Sequence, residues 1–288
     1  MQHAKTIFVT GATGNQGGAV VRSLLNNGFK VKALTRNADS PEAQIIKNLN
    51  AEIVQGNLNN PSTYRKHLEE IDGIFCVLTF QNGIREEISQ GKELANLAKS
   101  YNVSHFLYSS VIGADLHTGI PHWESKLMIE NHIKQQNLPY TIIRPAALFE
   151  NFLIPAVKKR ILKGTLPSPL TKEVIQLFIS SSDIGNISSL IFLNPDQNLR
   201  KTILLATEGI DQENVARIFS NALGREIKYQ KMPMVLTRLF MGKNLYTMFK
   251  WYNENYACLI KNQTIFLKDF PNMLNLSEWI KQNFKIAG

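Results

Sequence analysis

The sequence predicts an α/β fold with a doubly wound parallel sheet and a smaller C-terminal α/β lobe. Through the first 145 residues, short apolar and β-branched runs alternate with stretches of helical periodicity. A glycine-rich turn follows the first of these runs, and after Pro145 the alternation gives way to shorter elements separated by prolines. Strands that alternate with helices of about 10 to 15 residues are typical of a parallel sheet with right-handed crossovers.

The first half of the chain accounts for the predicted sheet. Strands are predicted at residues 6–10, 30–35, 52–56, 73–78, 105–109 and 140–144. Helices are predicted between them at residues 17–25, 41–49, 62–71, 86–101 and 125–136. The first helix is closed by Asn26-Asn27-Gly28, which is a typical helix stop. Six strands in this length fit one doubly wound domain.

The second half is predicted to contain fewer regular elements. Strands are expected at residues 174–180 and 201–206, with Ser182-Asp183 and Asp211 as caps of the helices that follow them. A final amphipathic helix is expected at residues 274–284, and the aromatic stretch 240–256 is predicted to pack inside the lobe or, alternatively, to line a flat apolar pocket. The predicted domains are residues 1–150 and 151–288, with some later segments returning to the first sheet.

Composition excludes several classes of protein. The chain has 288 residues, of which 44% are hydrophobic and 19% charged, as in an ordinary globular protein. No stretch approaches the roughly 18 uninterrupted apolar residues of a membrane span, so no membrane partner is expected. The N-terminus enters a strand at once, which leaves no room for a signal peptide. Two cysteines are too few for a disulfide framework, and a cytoplasmic location is expected.

The formal charge of +9 bears on possible ligands. Such a surplus can steer anionic molecules, nucleotides included. Its densest cluster, Lys158-Lys159-Arg160 with Lys163, is predicted to be the solvated face of an amphipathic helix. A nucleic-acid partner is not expected, because no zinc finger, basic zipper or arginine-rich segment is present. No metal is expected either, because the histidines show no ligand spacing with cysteines or carboxylates. The oligomeric state is not predicted.

The glycine-rich turn predicts a dinucleotide site. Gly11-Ala12-Thr13-Gly14-Asn15-Gln16-Gly17 lies between the first predicted strand and the first predicted helix. Gly11 permits the tight turn, Gly14 lets the backbone approach a diphosphate, and Gly17 lets the helix begin close to the sheet. The diphosphate would then face free N–H groups and the positive end of the helix dipole. This arrangement is the dinucleotide signature of a Rossmann-type domain.

The end of the second predicted strand favours NADP(H) over NAD(H). Sites that prefer NAD usually carry Asp or Glu at this position, where it binds the ribose 2′-hydroxyl. Here the strand ends Leu34-Thr35-Arg36-Asn37, and no acidic residue follows until Asp39. The guanidinium of Arg36 is well suited to bind a 2′-phosphate.

Several segments together resemble the NmrA-like branch of the atypical short-chain dehydrogenase/reductases. These are residues 9–18, Thr35-Arg36-Asn37, the segment 144–152 that begins Arg144-Pro145-Ala146, and residues 274–280. The resemblance implies a Rossmann domain with a smaller C-terminal lobe on the side of the substrate or partner. It also implies two alternative functions. Some family members are NADPH-dependent reductases of quinones or phenolic compounds, and others sense the nicotinamide pool and bind a regulatory protein.

The resemblance also implies which residues hold the cofactor. The phosphate loop would consist of Gly11, Thr13, Gly14, Asn15, Gln16 and Gly17, with Arg36 at the 2′-phosphate. Asn57 and Leu58 match a segment beside the adenine, although Asn57 replaces the usual aspartate. Val77, Leu78 and Thr79 match the strand end under the cofactor. Phe149 and Asn151, within Phe149-Glu150-Asn151-Phe152, are expected near the nicotinamide.

The expected catalytic set is incomplete. The parent superfamily uses Ser, Tyr and Lys, with the last two spaced Tyr-x-x-x-Lys. Ser109 or Ser110 fits the serine and Lys126 fits the lysine, but His122 stands where the tyrosine is expected. A histidine, whose ordinary pKa is about 6.5, could give the proton in its place. Alternatively the proton donor is absent and Lys126 only holds the nicotinamide ribose.

The sequence therefore predicts an NADP(H)-binding protein with two alternative activities. The first is NADPH-dependent reduction of a small planar acceptor such as a quinone, since hydride transfer to a quinone can borrow its proton from water. The second is a non-catalytic redox sensor that binds NADP(H) and a partner protein.

Overall fold

The computed structural model describes residues 4–260 and 272–284, and it divides into two compact units. The first unit runs up to Arg144 and includes Ser181–Leu204 as well. The second consists of Pro145–Ser180 and of the chain from Leu205 onward. The chain thus leaves the first unit after Arg144, returns to it at Ser181 and leaves it again after Leu204.

Strands and helices alternate along most of the described chain. The strands are β1 (Thr6–Val9), β2 (Lys30–Thr35), β3 (Glu52–Gln55), β4 (Gly73–Val77), β5 (His105–Ser109), β6 (Tyr140–Pro145), β7 (Ala147–Leu148), β8 (Thr165–Ser168), β9 (Ile175–Ile179), β10 (Lys201–Leu205), β11 (Glu208–Asp211) and β12 (Lys228–Lys231). The helices are α1 (Asn15–Asn26), α2 (Pro41–Asn48), α3 (Ile84–Ser100), α4 (Pro121–Gln135), α5 (Pro155–Ile161), α6 (Ser181–Leu193), α7 (Gln212–Leu223), α8 (Met234–Asn255), α9 (Ala257–Ile260) and α10 (Leu276–Asn283).

The first unit is built around a seven-stranded sheet in the order β10-β6-β5-β4-β1-β2-β3. Strands β1 to β6 pair with their neighbours in parallel. The order reverses at β1, because β2 and β3 extend the sheet on one side while β4, β5 and β6 extend it on the other. The predicted doubly wound α/β fold is confirmed, and β10 adds a seventh strand beside the six predicted ones.

Apolar side chains attach α3 and α4 to this sheet. Phe8, Ile74 and Phe106 point from the strands into one buried cluster with Leu94 of α3 and Ile129 of α4. A residue pair such as Ile7 and Phe8 points to opposite faces of the sheet, because successive side chains of a strand alternate. Burial on both faces is what makes these strands nearly continuous apolar runs.

The glycine-rich turn connects β1 to α1 with very little space between backbone segments. Gly11 has φ +59°, a left-handed conformation that favours glycine. A Cβ on Gly17 would lie 2.2 Å from the carbonyl oxygen of Gly11 and 2.8 Å from that of Thr10. Gly14 accepts the first helical hydrogen bond from Gly18 at 2.8 Å and itself donates to Gly11 at 2.9 Å. Gly17 is therefore required for α1 to begin this close to the strand.

Helix α6 returns to the first unit and packs against α1. A Cβ on Gly185 would lie 2.6 Å from the carbonyl oxygen of Ala19, so the two helix backbones nearly touch. The Ser23 hydroxyl donates to Asn186 Oδ1 at 3.1 Å across the same contact. The helix that carries the glycine-rich turn is thus held by a segment about 165 residues later in the chain, a long-range constraint that helical propensity alone does not supply.

The second unit has its own core between a small sheet and three helices. Its strands form a three-stranded sheet, β11-β9-β7, and a two-stranded sheet, β12-β8. Phe149, Phe178, Phe219 and Trp279 are buried together in this core. Asp211 caps α7 as predicted, since it accepts a hydrogen bond from the Asn214 backbone N–H. Ser182 and Asp183 were predicted to cap the helix that follows β9, but α6 already begins at Ser181 and they lie in its first turn.

Two predicted helices differ from the observed ones. Residues 62–71 form only two short 3-10 helices, Pro61–Thr63 and Arg65–Leu68, instead of one α-helix. They are separated by Tyr64, whose φ of −135° directs its fully buried ring against Phe8. Helix α4 begins at Pro121 rather than near residue 125, because proline is well suited to the first helical position.

No helix among the described residues is both long and apolar enough to cross a membrane. The predicted strands at 174–180 and 201–206 and the tail helix at 274–284 are present as β9, β10 and α10. Of the aromatic stretch 240–256, Tyr252 is buried, whereas Phe240 is 75% exposed and is not packed inside the lobe.

Adjacent glycines in α1 give a matched test of this geometry. Gly17→Ala is expected to lower the free energy of unfolding by about 1–3 kcal/mol or more, because its Cβ meets rigid backbone. Gly18→Ala is expected to cost much less, since its nearest contact is 3.2 Å from the Ala12 carbonyl oxygen and alanine favours a helix by about 1 kcal/mol. Denaturant unfolding of both variants measures the difference, and equal effects would contradict the close approach.

Candidate cofactor site

A cavity of about 350 Å³ opens where the strand order of the first unit reverses. In open α/β sheets, ligands bind outside the carboxyl ends of the strands at this point. The lining comes from the residues that follow β1, β2, β3 and β4 and from the start of α3. It consists of Gly11, Thr13, Leu34, Thr35, Arg36, Asn37, Ser40, Glu42, Gly56, Asn57, Leu58, Asn59, Val77, Leu78, Thr79, Asn82, Glu86 and Gln90.

The cavity brings together many of the residues that the sequence predicted. Predicted cofactor residues in the lining are Gly11, Thr13, Arg36, Asn57, Leu58, Val77, Leu78 and Thr79. The other members of the glycine-rich loop, Gly14, Asn15, Gln16 and Gly17, form the cap and first turn of α1 beside it. Lys126, His122 and Ser109 lie outside the lining.

The start of α1 is electrostatically suited to an anion. Gly14 occupies the cap position and has no side chain to accept a hydrogen bond from the first helical N–H groups. The first turn contains no acidic residue. Because the first N–H groups of a helix have no acceptor within the helix, those of Asn15, Gln16 and Gly17 remain available to a diphosphate.

Thr10 ties the glycine-rich turn to the neighbouring strand. Its buried hydroxyl donates to the Val77 carbonyl oxygen at 2.9 Å and accepts a hydrogen bond from the Val77 N–H at 2.9 Å. The methyl groups of Val77 in turn lie over Gly11, where a Cβ would come within 2.8 Å of Cγ1. The ends of β1 and β4 are therefore held in register under the cavity.

Arg36 forms one edge of the cavity. It is exposed at the end of β2, and among the described residues no carboxylate lies within ion-pair distance of its guanidinium. The backbone beside it is shaped by Thr35, whose hydroxyl accepts a hydrogen bond from the Asn37 N–H at 3.3 Å. Ser40 caps α2 by accepting from the Ala43 N–H at 3.2 Å. Within the described residues, Arg36 is thus a cation without an ion pair, and it lies on a turn that Thr35 stabilises.

Polar side chains form the opposite edge, beyond Asn57. The Asn57 side chain accepts a hydrogen bond from the Asn59 N–H at 3.0 Å, which folds the segment into a tight turn. Gln90 donates to Asn59 at 2.7 Å and to Glu86 at 3.0 Å. The predicted Asn57 therefore acts on the backbone turn, while Asn59 and Gln90 present side chains to the cavity.

Lys126 lies in a buried network instead of pointing freely into a cleft. Its ammonium is 2.9 Å from Glu87 Oε1, and it donates to the Leu78 carbonyl oxygen at 3.1 Å. Ser125 donates to the other Glu87 oxygen at 2.5 Å. Glu87 is completely buried. The lysine is therefore held to the end of β4 by a hydrogen bond and to α3 by an ion pair.

His122 stands one helical turn before Lys126, because α4 extends back to Pro121. It is 93% buried, and its ring packs 4.6 Å from that of Phe80. The ring of Tyr108 lies 5.6 Å from the Lys126 ammonium. This tyrosine is fully buried, and burial raises its pKa well above its ordinary value. Burial also raises the pKa of the nearby Cys76 thiol to about 12.

The two candidate serines have different partners. Ser109 donates to the side-chain oxygen of Gln16 at 2.7 Å, which joins β5 to the glycine-rich loop. Ser110 donates to Glu130 at 2.6 Å. Glu130 also binds Arg144 through two hydrogen bonds of 2.9 and 2.7 Å, and these raise the pKa of the guanidinium against the effect of burial.

Phe149 and Asn151 belong to the second unit. They lie in the 3-10 helix Phe149–Leu153, where the Phe149 ring is fully buried and packs 5.7 Å from Phe178 and 5.6 Å from Trp279. Asn151 is exposed. Within residues 4–260 and 272–284, no group of three His, Cys, Asp or Glu side chains is placed to hold a metal ion.

Sequence reasoning missed several residues of the site. The burial of Glu87 and Glu130 was not predicted, and each is compensated by a cation on another element, Lys126 or Arg144. The sequence offered one signal for the burial of Glu87, which is its position in the first turn of a helix that follows a strand. Asn59, Asn82 and Gln90 gave no signal, because their approach to the cavity depends on the fold.

Known proteins match this chain over most of its length. The photosystem II assembly factor Ycf39 of Trieres chinensis is 27% identical over 256 residues, which cover 85% of this chain and 77% of that protein. The structure of NmrA, a negative transcriptional regulator, in complex with NADP matches 98% of this chain and 96% of that one with a TM-score of 0.81 at 23% identity. The structure of the NADPH-dependent quinone oxidoreductase QOR2 of Escherichia coli with NADPH matches 97% and 100% with a TM-score of 0.80 at 18% identity.

These likenesses agree with the resemblance noted in the sequence. A model of the NmrA-like family matches residues 3–280, which is nearly the full length. The match includes the glycine-rich turn, the Arg36 segment and the described part of the second unit up to residue 280. This chain belongs to the NmrA-like family.

Proposed function

We propose that this chain binds NADP(H) in the cavity of the first unit and uses it to reduce a small planar acceptor such as a quinone. One observation carries the proposal. The N-terminus of α1, which no side chain caps, and Arg36, which has no ion pair among the described residues, flank the same cavity. The two groups match the diphosphate and the 2′-phosphate, the two anionic parts of NADP(H).

The remaining contacts follow from the order of the strand ends. The Gly11–Gly17 loop would hold the diphosphate, and Arg36 with the turn at Asn37 would hold the 2′-phosphate. Leu58 and Asn59 would contact the adenine. Leu78 and Thr79 would line the nicotinamide half, where the Lys126 ammonium, which donates to the Leu78 carbonyl oxygen, would also donate to a ribose hydroxyl.

The chain's own residues position the cofactor and do little of the proton chemistry. Bound NADPH supplies a hydride, which carries two electrons and one proton. Reduction of a quinone to a hydroquinone needs one more proton, and we assign it to water because His122 is packed against Phe80 and stands outside the cavity. Lys126 keeps its charge compensated by Glu87 and orients the ribose.

Proteins similar to this chain include a reductase and a regulator, which correspond to the two candidate functions. QOR2 is an NADPH-dependent quinone oxidoreductase, whereas NmrA is a negative transcriptional regulator that was solved with NADP. The second candidate function is therefore a non-catalytic sensor that binds NADP(H) and a partner protein. It is favoured by the absence of tyrosine at position 122.

Turnover distinguishes the two candidates. We expect the purified protein to oxidise NADPH in the presence of a panel of quinones, followed as the loss of reduced-nicotinamide absorbance. The control is the Gly17→Ala variant, whose disturbed loop should abolish turnover. Absence of turnover with every quinone, together with a large difference in affinity between NADP⁺ and NADPH, would contradict the reductase and favour the sensor.

The relative affinity for NADPH and NADH tests the role proposed for Arg36. Arg36→Ala is expected to weaken NADPH binding about 10- to 100-fold, since a hydrogen bond to a charged group contributes roughly 1.5–3 kcal/mol. NADH binding should change little, because NADH has no 2′-phosphate. Arg65→Ala, at an exposed arginine outside the cavity, is the matched control. Calorimetric titration measures the six affinities of the wild type and the two variants for NADPH and NADH, and a wild-type chain that binds NADH as tightly as NADPH would overturn the role of Arg36.

A variant of His122 tests the source of the second proton. His122→Asn is expected to change kcat far less than the ~10²- to 10⁴-fold that a positioned general acid contributes. The same variant should keep its affinity for NADPH. A loss of kcat in that range, together with loss of the pH dependence of kcat, would identify His122 as the donor.

A further inference from the structure

The first segment of α8 exposes an unusual group of apolar side chains. Val235, Leu236, Leu239 and Phe240 are 78%, 40%, 72% and 75% exposed. We call these four residues the α8 apolar face. Contiguous exposed groups of large apolar side chains are rare on single chains and usually mark an interaction site.

Helical geometry places the four side chains on one side. At 3.6 residues per turn, they fall within an arc of about 140°. The opposite side of the segment faces the protein, where Thr237 is fully buried. The segment ends at Gly242, whose φ of +80° and ψ of 172° break the helix before it continues to Asn255. The first segment of α8 is therefore a short amphipathic helix, and the α8 apolar face is its outward side.

Cations surround this face. Arg238 lies on the same helical segment at the margin of the arc, and Lys243 follows the break at Gly242; both are exposed. Phe240 and Leu236 share a cavity of about 290 Å³ with Arg160 of α5 and Lys231 of β12. The apolar face and the basic residues of α5 thus belong to one continuous surface.

The surplus of positive charge falls in the two sequence segments that contribute to this surface. Residues 155–163 and 225–250 contain ten Lys and Arg and a single acidic residue, Glu226. Their surplus of nine equals the formal charge of the entire chain. The two segments are adjacent, since Lys228 donates its backbone N–H to the Gly164 carbonyl oxygen at 2.9 Å and Arg160 contacts Gln230.

We infer that the α8 apolar face and its surrounding cations dock the protein on an anionic membrane surface. A helix with exposed Leu and Phe on one side and Lys or Arg at its margin lies in the plane of the lipid interface. Basic residues are attracted by the negative surface potential of anionic lipids. The lack of a spanning segment led us to expect no membrane partner, but docking at the lipid surface needs no such segment.

Charge favours a membrane over the other occupants. Two copies of the chain meeting through this face would bring their cations together, and like charges repel. A nucleic acid would satisfy the cations but would leave the apolar side chains in contact with phosphates. An anionic bilayer satisfies both groups, because its headgroups pair with cations and its acyl boundary accepts Leu239 and Phe240.

Vesicle flotation tests the inference on the full chain without any cofactor, so its result does not depend on the proposed reductase activity. We expect binding to phosphatidylcholine vesicles that contain phosphatidylglycerol, weak binding to phosphatidylcholine alone, and loss of binding as salt is raised. Leu239→Ser with Phe240→Ser should reduce the fraction bound at least tenfold, and Arg238→Glu with Lys243→Glu should do the same.

Matched controls use exposed residues elsewhere on the chain. Leu190→Ser and Met128→Ser remove exposed apolar side chains, and Lys47→Glu with Lys92→Glu makes the same change of charge. All variants should retain the wild-type unfolding midpoint. The inference is overturned if the wild type does not bind the anionic vesicles or if the controls lose as much binding as the α8 variants. It is also overturned if the α8 variants change only the oligomeric mass in light scattering, which would assign the face to a second copy.

Discussion

The candidate site depends on how closely α1 approaches the end of β1. A side chain at position 17 would collide with the carbonyl oxygen of Gly11, and only glycine leaves room for the helix to begin there. This approach places the first N–H groups of α1 at the mouth of the cavity. It is supported from both sides, because Thr10 joins the turn to β4 and Gly185 of α6 lets a second helix press against α1. A single steric constraint therefore sets both the packing of α1 on the sheet and the position of the proposed anion site.

Two buried carboxylates organise the rest of the first unit. Glu87 and Glu130 are completely buried, and each is compensated by a cation, Lys126 or Arg144. Removing one partner of such a pair typically costs about 3–5 kcal/mol, because it leaves an uncompensated buried charge. Lys126 joins α4 to α3 and to the end of β4, so its position is set by the fold before any ligand arrives. The residue that matches a catalytic lysine in the sequence is at the same time a structural one.

Local signals in the sequence accounted for most of the fold. The β1–turn–α1 unit, the helix caps at Ser40 and Asp211, and the parallel strands were predictable because their causes lie within a few residues. The helix predicted at 62–71 was wrong, since burial of Tyr64 overrides helical periodicity there. The role of Gln90, the burial of Glu87 and the return of α6 to the first unit depend on contacts between distant segments. Periodicity and spacing carry no information about such contacts.

The carboxylates of Glu42 and Glu86 also line the cavity, and their placement affects how strongly Arg36 can favour NADPH over NADH. Glu86 is occupied by hydrogen bonds from Asn82 and Gln90, at 3.3 and 3.0 Å. Glu42 stands in the first turn of α2, where the helix dipole favours its charge. If Arg36 were paired with Glu42, a 2′-phosphate would have to break that pair, and much of the gain from binding would be lost. Because Arg36 forms no ion pair with the described residues, a 2′-phosphate would not have to break one. The carboxylates of Glu42 and Glu86 would repel the phosphate, and water and salt screen that repulsion.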